Sequence, residues 1–502
     1  SHKMTTPSGL DIIIPIYDSL DKWKLCVESI QKYTNFENNR LILVDDCSPD
    51  SNIVPYLHSL NSEHIVVLEN ETNIGFSGSV NRGISFSDRD VILLNSDTIV
   101  TAEWVEKMIR CAYSDPSIAT VTPFSNNATL CSVPAFCERN EVPYGLSIDE
   151  YASVIERCSI HEYPTITVAV GFCMLIKREV IDSVGLFDAE TFQRGYGEEN
   201  DFCWRAEQLG YKHVLCDDTY IYHSETASFP SEEKKKLIRN HEKILLQRYP
   251  EQIQNNQNYV RDNPHQYLRD NIEIYSLLNN GKKNILYVIH YDFKSGSENS
   301  IGGTQLHVKD LKDGLIQDYN VFVAARNGSF LDLTVYTNES DQTLQFYIDK
   351  AEKYFRFHDS RIEKVFEDII IAFGISAIHV HHVQGLSFDI FELAKKYHIP
   401  MMLTLHDFYY ICPEIKLLEC GSSYCAGYGR DCKECLNKEL GIVNSVDYLG
   451  KWRAICAEVL DQITIAFTPS ESAKRIYAEI YPSLCDKLQV IPHGADKTDS
   501  LI

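Results

Sequence analysis

The sequence predicts an α/β protein of two domains, each built on a largely parallel sheet that helices flank. Three observations lead to this prediction. Short apolar runs alternate with amphipathic helical patterns in both halves of the 502-residue chain, as βαβ units require. Polar and acidic residues recur directly after several of the apolar runs. A stretch rich in Asn, Gln and Asp separates the two halves, and a chain of this length suits more than one domain.

The first half contains the strands of one sheet and several helices. The helix after the first strand has an apolar face formed by Trp23, Cys26, Val27, Ile30 and Tyr33. Another helix begins near Gly75, and a charged helix covers 231–249. For that charged helix we favour a solvated face over a basic membrane-binding face, because acidic residues dilute its positive charge. The predicted strands are 10–16, 40–44, 65–68, 91–94, 165–177, 212–216 and 219–223.

The second half repeats the alternation without obvious sequence similarity to the first. Its predicted strands are 285–290, 319–325, 377–381, 401–405, 462–468 and 488–491, and its predicted helices are 360–373, 388–397, 471–481 and one that follows Gly302-Gly303. We therefore predict a first domain at 4–250, a linker at 251–283 and a second domain at 284–502.

Composition excludes several classes of protein. The 47 Lys and Arg residues against 71 Asp and Glu residues give a net charge of −24, which disfavours nucleic acid as a partner. The longest strongly apolar run, 165–176, is far shorter than the roughly 20 residues that a membrane-spanning helix needs. We therefore expect no transmembrane segment and a cytoplasmic location, with peripheral contact at the inner membrane face as the alternative. The oligomeric state stays open.

Sixteen cysteines are scattered along the chain. Several lie in apolar segments, where we expect buried thiols in a reducing compartment: Cys26, Cys173, Cys203 and Cys216.

Carboxylates and amides stand at the ends of the predicted strands in the first half. They are Asp45-Asp46, Asn95-Ser96-Asp97 and Glu198-Glu199, and His223 follows the last strand. The carboxyl ends of parallel strands meet at one crevice, so these residues can share a site. Asp97 and His223 could hold a hard cation against a diphosphate, since such a cation needs few protein ligands. Glu198 or Glu199 could then act as a general base. Taken singly, an Asp-Asp pair at a strand end is as often only a turn or a cap.

The ordered set of motifs resembles the family 2 glycosyltransferases of the GT-A fold, across about residues 10 to 248. The matching segments are Ile14–Tyr17, Val44–Ser48, Asn73–Phe76, Asn81–Gly83, Leu94–Asp97, Gly185–Asp188, Glu198–Arg205, and His223 with Ser228. The resemblance implies transfer of a sugar from a nucleotide-diphosphate donor, with inversion at the anomeric carbon, to a hydroxyl group of a glycan, glycolipid or glycoprotein. It is compatible with both UDP-sugar and dTDP-sugar donors.

The resemblance also implies roles for individual residues. Those that would bind the donor are Pro15, Tyr17, Asp45, Asp46, Asn73, Gly75, Asn95, Ser96 and Asp97. Asp97 and His223 would hold Mn²⁺ or Mg²⁺, and Asp97 would carry most of this role because Asn95 stands where many members have Asp. Glu199 occupies the position of the catalytic base, where members have Asp. The longer side chain leaves Glu198 as the competing base.

The second half resembles the N-terminal half of a family 4 glycosyltransferase of the GT-B fold, over about residues 284 to 494. The matching segments are Gly302–Thr304, Ile378–His382, Thr404–Phe408 with Cys412-Pro413, Phe467–Ser470 and Val490–Asp496. Gly302 and Gly303 would let backbone N–H groups approach a phosphate, although a plain tight turn explains them equally. His406 could reach a sugar or be a structural histidine. In the family, the last segment leads into a second Rossmann-like domain with most donor contacts, so we expect a longer bifunctional enzyme and donor binding in the first domain.

Four cysteines lie within 16 residues in the second half: Cys420, Cys425, Cys432 and Cys435. Structural Zn²⁺ uses thiolates at such spacing. Similar cysteines recur in the resembled family without implying a metal, so we favour thiols over zinc.

Two other functions stay open at this point. A nucleotidyltransferase also places acidic residues at strand ends, but it would carry a Gly-rich basic loop in the first βα turn, which 15–19 does not. A glycan-binding scaffold without turnover is the non-enzymatic alternative, most of all for the C-terminal module. A dinucleotide-binding dehydrogenase is disfavoured because no Gly-x-Gly-x-x-Gly follows any strand.

Overall fold

A computed structural model of the chain describes residues 7, 9–18, 20–224, 232–293, 302–350, 357–419, 423–425, 432–441 and 448–493. The contacts within the chain divide it into two compact units, 1–276 and 277–502. No helix among these described ranges is both long and apolar enough to cross a membrane.

The strands in the first part of the chain are β1 (Asp11–Ile16), β2 (Arg40–Asp45), β3 (Ile65–Glu69), β4 (Val91–Leu94), β5 (Thr98–Ile99), β6 (Ile118–Phe124), β7 (Thr165–Ile166), β8 (Cys173–Ile176), β9 (Lys212–Tyr220) and β10 (Tyr222–His223). The helices are α1 (Leu20–Tyr33), α2 (Ile53–Leu60), α3 (Gly75–Phe86), α4 (Trp104–Ala112), α5 (Ile148–Cys158), α6 (Arg178–Val184), α7 (Glu198–Gln208), α8 (Glu232–Arg248), α9 (Pro250–Asp262) and α10 (Gln266–Leu278).

Eight of these strands form one mixed sheet in the order β3-β2-β1-β4-β8-β6-β9-β7. Strands β1 to β4 run parallel to one another. Strand β8 is antiparallel to both β4 and β6, and β7 is antiparallel to β9. The predicted α/β class is confirmed, and its parallel part brings the carboxyl ends of β1, β2 and β4 to one edge. The predicted apolar face of α1 is confirmed for Trp23, Cys26, Val27 and Ile30, which are fully buried, whereas Tyr33 at the end of the helix is half-buried.

Two predicted strand patterns differ from the structure. The apolar run at 165–177 forms two short strands, β7 and β8, with a connecting loop between them. The predicted break between 216 and 219 is wrong, because β9 continues through it. Asp217 and Asp218 are buried there and accept hydrogen bonds from Ser159 Oγ (2.9 Å) and Arg110 (2.7 Å). Long-range partners thus keep polar side chains inside a strand, which a local pattern does not indicate.

The stretch expected as a linker is mostly helical, as α9 and α10. Leu268 and Ile272 belong to the hydrophobic core of the first unit. The buried guanidinium of Arg269 donates hydrogen bonds to the carbonyl oxygens of Ser132 (2.8 Å) and Leu130 (2.7 Å). Because α10 packs on the first unit, the boundary between the units lies at 276/277, near the end of the stretch that was expected to be a linker. The few apolar residues of α10 are difficult to recognise among the many Asn and Gln residues of this stretch.

The second part of the chain contains strands β11 (Lys283–Ile289), β12 (Tyr319–Asn327), β13 (Phe330–Tyr336), β14 (Asp341–Tyr347), β15 (Ile375–Val380), β16 (Met401–Thr404), β17 (Leu418–Glu419), β18 (Ser423–Tyr424), β19 (Ile465–Thr468) and β20 (Leu488–Val490). Its helices are α11 (Gly303–Leu315), α12 (Ser360–Phe373), α13 (Asp389–Lys396), α14 (Cys432–Leu440), α15 (Tyr448–Gln462) and α16 (Glu471–Ile480).

The main sheet of this unit has the order β14-β13-β12-β11-β15-β16-β19-β20. The strands from β12 through β11 to β20 are parallel, which confirms the second α/β pattern. Strands β13 and β14 add an antiparallel hairpin at the edge that the sequence analysis did not predict.

Candidate active site

A cleft of about 1100 Å³ opens at the carboxyl edge of the parallel strands in the first unit. It collects nearly all of the candidate site residues predicted in the first half of the chain. Those that line it are Pro15, Tyr17, Asp46, Asn73, Gly75, Asn95, Ser96, Asp97, Glu198, Glu199 and His223. Of the candidates in the first half, Asp45 alone does not line the cleft.

Asp45 is buried at the end of β2 and shapes the following turn. Its Oδ1 accepts hydrogen bonds from the backbone N–H of Ser48 at 3.3 Å and from the Ser48 hydroxyl. These contacts give Asp45 a structural role in the turn that ends β2.

Asp46 holds the loop that precedes α3. Its carboxylate accepts hydrogen bonds from the backbone N–H groups of Ile74 (2.8 Å) and Gly75 (2.9 Å). The Asn70 side chain donates a third at 2.9 Å. Asp46 therefore fixes the position of Asn73 and Gly75 at the cleft wall, since charge-assisted hydrogen bonds to backbone donors are strong.

Gly75 is a position that requires glycine. Its φ is +81°, and a Cβ there would lie 2.3 Å from the carbonyl oxygen of Gln193. Next to it, Ser77 Oγ donates a hydrogen bond to the carbonyl oxygen of Phe192 at 2.6 Å. The two loops that wall the cleft, before α3 and before α7, are thus packed backbone against backbone.

Asp97 and His223 meet through a two-stranded ribbon. Strand β5 pairs with β10 so that Thr98 lies opposite His223. The backbone N–H and the hydroxyl of Ser224 both donate to the Asp97 carbonyl oxygen, at 2.8 and 2.7 Å. As a result, Asp97 Oδ1 lies 3.2 Å from His223 Nε2.

The remaining contacts of His223 determine which atom faces Asp97. Its Nδ1 is 2.9 Å from the carbonyl oxygen of Asn127, and because that oxygen only accepts, Nδ1 carries the proton. The Asn126 side chain bonds both backbone groups of His223, and the Phe172 ring stacks on the imidazole at 5.5 Å. These contacts orient the ring so that Nε2 faces the Asp97 carboxylate, and a histidine oriented by a carbonyl in this way suits a cation ligand.

The charge of the cleft also favours a bound cation. The acidic residues that line it are Asp18, Asp46, Asp97, Glu198 and Glu199. Among the described residues of the lining, Arg194 is the sole guanidinium or ammonium group. A diphosphate would be repelled by this lining unless a cation compensated the charge.

Glu198 and Glu199 form the first turn of α7 and act as a coupled pair. Burial raises the pKa of both, and the neighbouring Glu199 charge raises the pKa of Glu198 further. A hydrogen bond from Glu198 lowers the pKa of Glu199, so Glu198 holds the proton more tightly. Glu199 Oε2 is buried and has no hydrogen-bond partner within the described ranges. Glu199 is thus the more readily ionised member, and one of its oxygens is available to a bound hydroxyl group.

Sequence reasoning missed several residues that the structure places at the cleft: Asn127, Gly171, Phe172, Gln193, Arg194 and Tyr196. Most lie in loops without a motif, and tertiary contacts alone bring them to the site. Arg194 could have been selected from the sequence, because it is a basic residue four positions before the acidic pair that begins a helix.

Two motif segments have structural roles. The Asn81 side chain exchanges hydrogen bonds with the backbone of Phe187, at 2.9 and 3.0 Å, and so ties α3 to the segment after α6. Asp201 lies in the first turn of α7, which starts at Glu198. Asp201 bonds Arg205 (2.9 Å) and the Tyr249 hydroxyl (2.6 Å).

In the second unit, Gly302 and Gly303 begin α11, and neither has a positive φ. A Cβ at Gly303 would meet nothing within 4 Å, so this backbone does not require glycine there. His406 follows β16, and its Nε2 lies 3.0 Å from His381 Nδ1. Cys420 lies outside the described residues. Cys425, Cys432 and Cys435 are half-buried, and Cys435 Sγ contacts the Leu418 carbonyl oxygen at 3.7 Å.

Comparison with known proteins finds one matching family model in each half of the chain. Residues 11–185 match the model of Glycosyl transferase family 2, and residues 301–499 match the model of Glycosyltransferase Family 4.

Individual proteins show more distant similarity. The uncharacterized protein y4gI of Sinorhizobium fredii (strain NGR234) is 25% identical over 234 residues, which are 44% of this chain and 25% of that protein. The uncharacterized glycosyltransferase YibD of Escherichia coli (strain K12) is 28% identical over 116 residues, 22% of this chain and 33% of that protein. This chain therefore spans 25% to 33% of the length of these relatives. The crystal structure of GalNAc-T7 with UDP, GalNAc and Mn²⁺ aligns with a TM-score of 0.37 and 15% identity over 48% of each chain.

Proposed function

We propose that this chain is a glycosyltransferase that joins a family 2 domain to a family 4 domain, and the matches over 11–185 and 301–499 support this. In this proposal, the family 2 domain transfers a sugar from a nucleotide-diphosphate donor to a hydroxyl group with inversion at the anomeric carbon. The acceptor would be a glycan, glycolipid or glycoprotein. One observation carries this proposal: a single cleft holds the Asp97–His223 pair and, on another wall, the buried Glu199 carboxyl group.

The donor would bind along the edge of the parallel strands. Tyr17, half exposed after β1, and the loop that Asp46 holds would flank the nucleotide. Asp97 and His223 would hold Mn²⁺ or Mg²⁺, with Asn95 and Ser96 in the same turn. When bound, this cation would neutralise negative charge on the departing diphosphate. Arg194 faces the same cleft, and its guanidinium would add a second positive charge near the diphosphate.

Glu199 would act as the general base. Its raised pKa makes it a stronger proton acceptor than an exposed glutamate, which improves proton transfer near neutral pH. The acceptor hydroxyl would donate its proton to Glu199 Oε2, the oxygen for which no described residue supplies a donor. Glu198, which retains its proton, would hold Glu199 in place. The acceptor oxygen then attacks the anomeric carbon from the side opposite the leaving diphosphate, which inverts the configuration.

For the family 4 domain we propose a second role in the same assembly process, so that the protein is part of a bifunctional enzyme of polysaccharide or glycoprotein glycan synthesis. The match over 301–499 and the second parallel sheet support this proposal. The donor of the family 2 reaction would bind in the first unit, which carries the proposed cation ligands and the proposed base.

A donor screen with the purified full chain tests the function. UDP-, dTDP- and GDP-sugars would each be titrated with and without Mn²⁺, and hydrolysis and transfer would be followed. We expect one nucleotide class to bind in a Mn²⁺-dependent manner, and NMR of the product to show an anomeric configuration opposite to the donor. Retention of configuration would refute the inverting mechanism. Release of a sugar 1-phosphate rather than a nucleoside diphosphate would indicate nucleotidyl transfer instead.

A further inference from the structure

The second unit contains a cluster of histidines that the proposed transfer reaction does not use. His381 directly follows β15, His406 follows β16, and His493 follows β20. His307 lies in the second turn of α11, the helix after β11. Because β11, β15, β16 and β20 belong to one set of parallel strands, these side chains come together at the carboxyl edge of the sheet.

The spacing of the rings fits metal coordination. One ring nitrogen from each of His307, His381 and His406 lies within 4.8 Å of the other two. The His493 ring centre is 4.5 Å from that of His307 and 5.1 Å from that of His406. Tetrahedral zinc with bonds of about 2.0–2.1 Å separates its nitrogen ligands by roughly 3.3 Å. Side-chain rotations that move the nitrogen atoms by about 1 Å would therefore bring them to coordination distance.

One nitrogen of the cluster, His381 Nε2, is buried without a hydrogen bond from the described residues. The His381 side chain is 1% exposed. The 3.0 Å contact of His381 Nδ1 with His406 Nε2 does not change this, because either ring can donate and both arrangements leave His381 Nε2 unmatched. A buried polar atom without a partner costs about 1–3 kcal/mol. A metal ion would use this lone pair.

Two neighbouring histidines, His379 and His382, have hydrogen-bond partners in the protein, which distinguishes them from the cluster. His379 Nε2 is 2.8 Å from the Thr404 hydroxyl. His382 bonds Asp407 through Nε2 at 3.2 Å, and its Nδ1 accepts from the backbone N–H of Gln384 at 3.0 Å. These two rings have structural roles.

A second group in the same unit has carboxylates but a different explanation. It consists of His358, Glu363 and Asp389. Asp389 accepts hydrogen bonds from the Ser387 hydroxyl (2.5 Å) and the Asp359 backbone N–H (2.8 Å). The His358 side chain is 65% exposed. This group joins two helix starts and needs no ion.

We propose that His307, His381 and His406, with His493 as the fourth ligand, form a binding site for a zinc-class divalent metal ion. An all-imidazole set favours first-row transition metals such as Zn²⁺ over the oxygen-preferring Mg²⁺ and Mn²⁺. The site is separate from the Asp97–His223 pair and does not depend on the proposed transfer reaction.

Metal titration of the full chain tests this site with Zn²⁺ and Co²⁺ alone as probes. Zn²⁺ affinity would be measured by competition with a chromophoric chelator, and Co²⁺ by its visible absorption, which is intense for tetrahedral sites. The protein would carry Asp97→Ala so that the first unit contributes no site. The variants are His307→Asn and His406→Asn, which are half-buried, and His381→Asn. The control is His398→Asn, because His398 is exposed in the same unit with φ +54°, a conformation that Asn tolerates.

We expect the parent protein to bind one Zn²⁺ that each cluster variant weakens by about 100-fold, whereas His398→Asn does not. Loss of an outer-shell partner already costs 10- to 100-fold, so loss of a ligand costs at least this much. Circular dichroism would verify folding, and if His381→Asn unfolds, the two half-buried variants decide. Absence of Zn²⁺ binding, unchanged binding in both half-buried variants, or a Co²⁺ spectrum with thiolate charge-transfer bands would overturn the proposal. The last result would assign the ion to the cysteine segment instead.

Discussion

His223 Nε2 lies 3.2 Å from Asp97 Oδ1, although the two residues are far apart in the chain. The pairing of β10 with β5 creates this contact, and the hydrogen bond from His223 Nδ1 to the Asn127 carbonyl oxygen orients the ring. A carboxylate oxygen and an imidazole nitrogen, both common cation ligands, therefore lie side by side at the cleft. The two side chains are therefore positioned to bind one cation.

Replacement of Asp97 by Ala should abolish sugar transfer and weaken binding of the nucleoside diphosphate by at least about tenfold in the presence of Mn²⁺. The diphosphate would then face the remaining carboxylates without the cation. Calorimetric titration with and without Mn²⁺ measures this loss. The matched control is Asp182→Ala on α6, whose side chain is 68% exposed. Full turnover in Asp97→Ala, together with insensitivity of the unmodified protein to a chelator, would show that the cation assignment is wrong.

The adjacent glutamates can be distinguished by isosteric variants. Glu199→Gln should bind donor almost normally and lower kcat by 10²- to 10⁴-fold, the usual contribution of a general base. Glu198→Gln should change kcat by less than about tenfold, because Glu198 already keeps its proton and the amide retains a donor. A steady-state comparison of the two variants measures the difference. The reverse result would make Glu198 the base.

The pH dependence of kcat should follow Glu199. Burial raises the pKa of this carboxyl group, and only the ionised form can accept a proton. Activity should therefore fall with decreasing pH at values above the usual range of about 4.3 for glutamate. Glu198→Gln should keep a similar acidic limb, since a neutral group replaces a group that is already neutral. A limb at or below pH 4.3 would argue against a buried base.

Burial of the Glu198 carboxyl group should also lower the stability of the protein as pH rises. A carboxyl group whose pKa is raised on folding binds more protons in the folded state, so the free energy of unfolding decreases as pH rises above the unfolded pKa of about 4.3. Glu198→Gln removes this penalty. We expect it to raise the melting temperature near pH 7 by roughly 2–4 °C per kcal/mol regained, and to have little effect near pH 4. Thermal unfolding across this range measures the effect, with Glu63→Gln, 85% exposed, as the control. A constant difference at all pH values would contradict it.

A matched glycine pair tests the loop that Asp46 holds. Gly75 and Gly210 have similar φ values, +81° and +86°, but a Cβ at Gly75 meets Gln193 at 2.3 Å whereas one at Gly210 meets nothing within 4 Å. Both Ala variants should lose about 1–2 kcal/mol of stability from the left-handed backbone. Gly75→Ala should in addition weaken nucleotide binding by about tenfold or more, because the wall of the cleft must shift. Equal binding by the two variants would exclude this role for the loop.

The sequence by itself determined the two α/β units, the apolar face of α1, and the presence of polar residues at the strand ends. These features follow from local periodicity, because a helix or strand buries one face and its side chains repeat along the chain accordingly. The bounds of α12, Ser360–Phe373, coincide with the predicted 360–373 because apolar residues recur at helical spacing up to Gly374, where the helix ends.

The tertiary structure alone decided which of these residues share a site. Asp45 and Asp46 are adjacent in sequence, yet successive side chains leave an extended backbone on opposite sides, so Asp45 bonds its own turn and Asp46 reaches the cleft wall. His223 joins Asp97 through strand pairing, and His307, His381 and His406 converge from three separate segments. Such contacts depend on register and on packing between distant segments. A local pattern carries no information about either, so the sequence supplied the reactive groups and the fold selected which of them meet.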